Sequence, residues 1–221
     1  MTLTYKSRDN NPVIVVYKRP RKWSDRIMNL FNGEYTHCEM YLPADSCSFS
    51  ILQGGVMQCS SIKPNVYRDH PELFSWHMFV LNEHEYKRLR VWNTNQVAKQ
   101  CQYNLSDTTY QILPMAIQTT FVCDISREEA QHPHKLFCSQ AVVLALREAC
   151  NGIHTSPHME AFTNAINSRI ITPTELAYRT TTYMGLDVSN EPVPLTEIEA
   201  RQVIEKNMLL QGEGGSRAYN S

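Results

Sequence analysis

Cys138 stands at the head of "CSQAVVLALREA", where a loop gives way to a run with helical spacing of apolar residues. A cysteine kept only for packing belongs in the middle of such an apolar face. At a helix N-terminus it meets unpaired backbone N–H groups and the positive end of the dipole, and both favour thiolate. Thiolate is the reactive form of cysteine, so the position points to nucleophilic chemistry. A thiolate nucleophile needs a base within hydrogen-bonding reach and a group that orients the base.

Eight histidines are available. His37 is set apart by its place in "YTHCEMYL" (35–42), which alternates as a strand does. Cys38, Met40 and Leu42 share one face, and Tyr35, His37, Glu39 and Tyr41 share the other. A strand holds a side chain in a fixed direction, which suits a base that must meet a helix-start cysteine. The bland alternative is a surface histidine on a half-exposed sheet. "HPHKLFC" also gathers His132, His134 and Cys138, and "HTSPHME" holds His154 and His158. The first lacks a second cysteine ligand nearby and the second reads as a polar loop, so no metal site and no cofactor is expected.

The elements that must place these residues follow from periodicity. "PVIVVY" (12–17) is a β-branched apolar run, hence a buried strand. "CSFSILQ" (47–53) alternates, with Phe49 and Ile51 opposite Ser48, Ser50 and Leu52. "VMQCSSI" (56–62) and "SWHMFVL" (75–81) read as two more strands of an antiparallel meander. A short helix is expected over "SDRIMNLFNG", with Ser24 as cap and Gly33 as stop. Asn82 and Glu85 form a capping box ahead of the next helix. The stretch 101–135 has few periodic signals and reads as irregular, with one short helix. Thr172, Pro173 and Glu175 announce a helix, and Thr196 with Glu199 announces another. "GLDVSNEPVP" reads as a linker and "QGEGGSRAYNS" as a tail. The expected division is therefore a domain over 1–186 and a linker, helix and tail over 187–221.

Composition bounds the function. The chain has 221 residues, 42% of them apolar, with a formal net charge of −1. That allows a sizeable core and gives no global field toward nucleic acid or membrane. Lys18, Arg19, Arg21 and Lys22 form one local basic cluster, read as a solvated connector, the alternative being a phosphate, anionic-lipid or nuclear-import patch. No stretch approaches the ~18 apolar residues of a membrane span, and no signal-peptide core opens the chain. A cytoplasmic protein is expected, in a host cytoplasm or a virion if the chain is viral. Seven cysteines without a CxxC pair argue against a disulfide framework and for reduced, buried thiols.

"YTHCEMYL", "CSFSILQGGV" and "PHKLFCSQAVVLALREA", in that order, resemble the circularly permuted papain-like cysteine hydrolases. That superfamily includes NlpC-related, YiiX-type hydrolases, lecithin:retinol acyltransferase-like enzymes, and proteins of phages and large DNA viruses. The resemblance spans roughly residues 12–180, and the "SFS…GGV" hairpin is most similar to viral and phage members. In papain itself the cysteine helix precedes the histidine strand, and in the permuted group the order is reversed, as His37 before Cys138 requires.

The resemblance implies an α+β fold, an antiparallel sheet packed against a cysteine-bearing helix; beyond its span, the last helix and tail read as a C-terminal helical arm. It implies Cys138 as nucleophile and His37 as base, acting through a thioester acyl-enzyme on a protein or peptide substrate. The third polar residue of the family pattern usually sits on the next strand and is often a carboxylate or amide. That strand has no acid here, so the expectation falls on Ser50, with Gln53 behind it. Two other functions are expected as alternatives. One is a weak or inactive structural or interaction protein, such as a virion component, docking a partner through 195–221. The other is a lipid acyl hydrolase or acyltransferase.

Overall fold

A computed structural model describes residues 10–21, 33–52, 54–61, 63–104, 123–131, 133–151 and 157–215. Residues 24–32 of the short helix expected over 24–33, residues 105–122 of the irregular stretch 101–135, Gln53, Lys22, His132 and His154 lie outside the described residues. The side chains of Arg127 and 210–215 lie outside them too.

The described chain is mixed α+β. A five-stranded antiparallel sheet runs in the order β4-β3-β2-β1-β5, built from β1 (Asn11–Lys18), β2 (His37–Leu42), β3 (Cys47–Ile51), β4 (Met57–Ser60) and β5 (Phe74–Leu81). The first four strands form the expected meander. β5 then crosses to the far edge and pairs with β1 along its whole length, from Asn11 opposite Leu81 to Lys18 opposite Phe74. Helices α1 (Lys63–Asp69), α2 (Glu83–Ala98), α3 (Arg127–Gln131), α4 (Cys138–Ala149), α5 (Pro157–Asn164), α6 (Pro173–Met184) and α7 (Glu197–Gly215) complete the described elements. They are joined by a two-residue parallel pair, β6 (Gln102–Tyr103) with β7 (Lys135–Leu136).

The alternation in β1 divides two cores. Val13, Val15 and Tyr17 face an inner core shared with Cys38, Met40 and Leu42 of β2, Phe49 and Ile51 of β3, and the apolar flank of α4. Ile14 and Val16 face an outer core with Tyr41, Tyr67, Phe74 and Trp76, closed by Val193, Leu195 and Ala200. A strand buried on both faces reads as a continuous apolar run, which is the form of "PVIVVY".

The stretch read as a linker is stitched to the sheet. Trp76 and Ser189 exchange two backbone hydrogen bonds of 2.9 Å, and Tyr41 donates its hydroxyl to the Leu195 carbonyl. α7 begins with the expected capping box: Glu199 N–H donates to Thr196 Oγ1 (3.1 Å) and Thr196 N–H to Glu199 Oε2 (2.9 Å).

The cysteine expectation needs one correction. Cys59 on β4 stands opposite Phe49, two residues along from Cys47 on β3, and this diagonal pair, with Cα atoms 6.1 Å apart, forms a disulfide. Sequence spacing gave no sign of it because the pairing depends on strand register. Cys38, Cys101, Cys138 and Cys150 are free and buried as expected, and Cys123 is free and exposed.

Candidate active site

Cys138 is the first residue of α4, so its own N–H has no acceptor within the helix. The helix forms because Ala141, Val142, Ala145 and Ala149 give it an apolar flank, all of them buried. Gln140 helps close its start, accepting from Phe137 N–H at 3.4 Å. Ser139 donates its hydroxyl to the Ile171 carbonyl at 2.6 Å, tying α4 to the segment that leads into α6. Cys138 is 7% exposed.

His37 opens β2. The approach to it is held by α6: Thr174 Oγ1 accepts from Tyr35 N–H at 2.8 Å. Gly33, at φ +79°, passes so close that an added Cβ would lie 2.9 Å from Thr174 Cγ2. The start of α6 therefore grips both halves of the site, Ser139 through Ile171 and the His37 strand through Thr174.

The structure brings Cys138 and His37 together. Each acts on the titration of the other, His37 favouring the Cys138 thiolate and Cys138 favouring the His37 imidazolium. The Cys138 thiol is held well below its ordinary pKa. The side chain of Cys38 contributes most; burial opposes, and the His37 ring and the Cys38 backbone N–H assist. Burial pulls His37 down, but the Cys138 sulfur and then Glu39 outweigh it, leaving the imidazole raised. The two directions agree on a thiolate–imidazolium pair. Cys38 is pushed the other way, well above the ordinary thiol range, chiefly by burial and then by Cys138. Of the two neighbouring thiols, Cys138 is therefore the more acidic and Cys38 the less.

Ser50 is not brought to His37. Register pairs Met40 with Phe49, so one step further Ser50 stands opposite Glu39, short of His37. Its own partner on β4 is Gln58. His37 Nε2 is buried and has no hydrogen-bond partner among the described residues. Among the described residues no group orients it through that nitrogen.

Two residues that the sequence reading passed over stand at the site. Glu39 follows His37 by two positions and shares its strand face. Its carboxylate is 3% exposed, accepts from Ser48 Oγ at 3.0 Å, and pairs with Lys63 Nζ at 3.4 Å. It acts on His37 by charge rather than by a hydrogen bond. The signal was legible as His-x-Glu within one alternating strand. Tyr103, on β6 beside Leu136, is the second. Its phenol is raised by burial first and then by the charges of Cys138 and Cys38. It was hidden in a stretch without periodicity.

Among the described residues no group of three or more His, Cys, Asp or Glu side chains is arranged to hold a metal ion. No helix among them is long and apolar enough to cross a membrane. Behind the nucleophile lies a void of about 10 Å³, lined in part by Cys138, Cys38, Phe49 and Ser50, so Ser50 borders the cysteine side of the site although not His37. The void is near the limit for a single water.

Comparison with known proteins finds no matching family model, no matching curated protein and no matching solved structure.

Proposed function

We propose that the chain is a cysteine-nucleophile hydrolase of the permuted papain-like type, acting on an amide bond of a protein or peptide. The observation that carries this reading is the Cys138–His37 pair, with the thiol depressed and the imidazole raised. The Cys138 sulfur attacks the carbonyl carbon, and the C–N bond breaks as His37 gives its proton to the leaving amine. A thioester joins the acyl group to Cys138. His37, now neutral, takes a proton from water, whose oxygen attacks the thioester and restores the thiolate. The N–H of Cys138 is the available oxyanion donor at the helix start.

A second reading has a specific observation behind it. With His37 Nε2 unpartnered and Cys138 only 7% exposed, the same fold serves equally as an interaction protein with little turnover.

Alkylation separates them. Wild type and His37→Ala are treated with limiting iodoacetamide across a pH series, and each cysteine is followed by mass spectrometry. The hydrolase reading expects Cys138 to react ahead of the other free cysteines and well below the ~8.5 of a free thiol. It also expects His37→Ala to abolish that advantage. Equal reactivity among the cysteines sinks it.

A further inference from the structure

Hydrolysis by Cys138 calls for one thiol, yet two line a single small void. Cys38 projects from β2 onto the inner face, 1% exposed, and Cys138 meets it from the start of α4. Both line the same small void, and both the Cys38 side chain and its backbone N–H address the Cys138 sulfur. As a hydrogen-bond donor to a thiolate, S–H is a weak choice, and a serine hydroxyl would do that work better. What a thiol offers that a hydroxyl does not is a covalent bond to the neighbouring sulfur. The other buried free thiols are differently placed. Cys101 donates to the Pro133 carbonyl at 3.5 Å, and Cys150 closes the far end of α4.

We propose that Cys38 is a resolving thiol: when a hydroperoxide oxidises Cys138, Cys38 captures the product as a Cys38–Cys138 disulfide. This rests on the thiolate reading of Cys138. In the first step the Cys138 sulfur attacks one peroxide oxygen. An S–O bond forms, the O–O bond breaks, and the departing hydroxide takes the His37 proton and leaves as water. Cys138 is oxidised to sulfenic acid and the peroxide is reduced. In the second step the Cys38 sulfur attacks the Cys138 sulfur. The S–S bond forms, the S–O bond breaks, and the hydroxide leaves as water with the Cys38 proton. One hydrogen peroxide and two thiol equivalents yield one disulfide and two waters. The disulfide blocks the nucleophile, spares it from irreversible sulfinic acid, and is reopened by a dithiol.

The test uses the full chain as wild type, Cys38→Ser and Cys38→Ala, exposed to hydrogen peroxide at neutral pH and then alkylated. Digestion combines trypsin with a glutamate-specific protease. No Lys or Arg separates Cys38 from Cys47 and Cys59, whereas cleavage after Glu39 does. Wild type is expected to give a peptide linking Cys38 to Cys138, with Cys138 alkylation lost and then restored by dithiothreitol. Both variants are expected to trap Cys138 sulfenic acid with dimedone and to lose Cys138 alkylation irreversibly. Oxidation of wild-type Cys138 to sulfinic acid without that link, a link to another cysteine, or no oxidation at all overturns the inference. Fast iodoacetamide labelling of Cys138 in the absence of the link would fell the resolving role alone. Slow labelling and no oxidation together would fell the thiolate reading as well.

Discussion

Among the described residues the reactive pair owes its polarity to its neighbours Cys38 and Glu39. Cys38 supplies donors to the sulfur, and Glu39 supplies negative charge to the ring. Glu39 is itself held by Ser48 and Lys63, so its carboxylate is fixed in place although it does not touch the imidazole by hydrogen bond. Glu39→Gln keeps an acceptor for Ser48 and removes only the charge. His37 is then expected to titrate at a lower pH than in wild type, read from its imidazole C–H resonances by NMR. Loss of the pair between half-buried Lys63 and this buried carboxylate should also lower the urea midpoint. An unchanged His37 midpoint would show that Glu39 serves packing alone. His37 and Cys138 were legible in the sequence because a strand and a helix start each declare themselves locally. Ser50 could not be placed, because whether it reaches His37 depends on register between two strands. Alternation within one strand says nothing of that offset.

At the level of elements, the start of α6 is the clamp on which the site depends. Thr174 accepts from Tyr35 on the way into β2, and Ile171, just ahead, accepts from Ser139 in α4. Thr174→Val preserves shape and leaves the Tyr35 N–H without that acceptor. A loss of about 1–2 kcal/mol in stability is expected, together with slower alkylation of Cys138 at constant pH. Stability loss with unchanged Cys138 reactivity would confine Thr174 to a structural part.

Further along α6, Thr181 meets His77 Nε2 at 3.2 Å, while Tyr17 Oη lies 3.2 Å from its Nδ1. Burial, first among the causes, lowers His77 to about 4, against the partial opposition of the Leu186 backbone and the Asp187 charge. The folded pKa lies below the unfolded one of 6.5, so between these values the unfolded chain binds more protons. His77 therefore leaves stability intact above pH 6.5 and erodes it as the pH falls toward 4. The full loss is on the order of 3 kcal/mol. His77→Gln should flatten that slope in urea midpoints taken at pH 7, 5.5 and 4. A slope as steep as wild type's would mean that other groups carry the acid sensitivity.

On the scale of the whole molecule, the sheet is covered on both sides, and the second cover comes from the end of the chain. Five strand positions fell where alternation and β-branched runs place them. Strand order was not legible, because nothing in "SWHMFVL" tells that it pairs with β1 rather than with β4. α1 escaped notice for a physical reason: of "KPNVYRD" only Tyr67 is buried, which leaves no periodic stripe to read.

The sequence division at residue 187 can be judged by the same burial argument. Val193, Leu195 and Ala200 are buried on the outer core beside Tyr41 and Trp76, with Val203 and Ile204 packed against them. Farther out on α7, Met208 is 50% and Leu209 70% exposed, so the helix is held by its first half. At roughly 1.5–3 kcal/mol for each large apolar side chain buried, the segment contributes on the order of 5 kcal/mol. That is comparable to the whole stability of a typical domain. A chain ending at residue 186 is therefore expected to show a strongly lowered urea midpoint, with Trp76 fluorescence shifted toward that of exposed indole. A chain ending at residue 206 keeps those contacts and should unfold where the full chain does. If the shorter chain were as stable as the full one, residues 187–221 would be an arm free to serve a partner. Loss of folding would instead make them the outer layer of the same domain that presents Cys138.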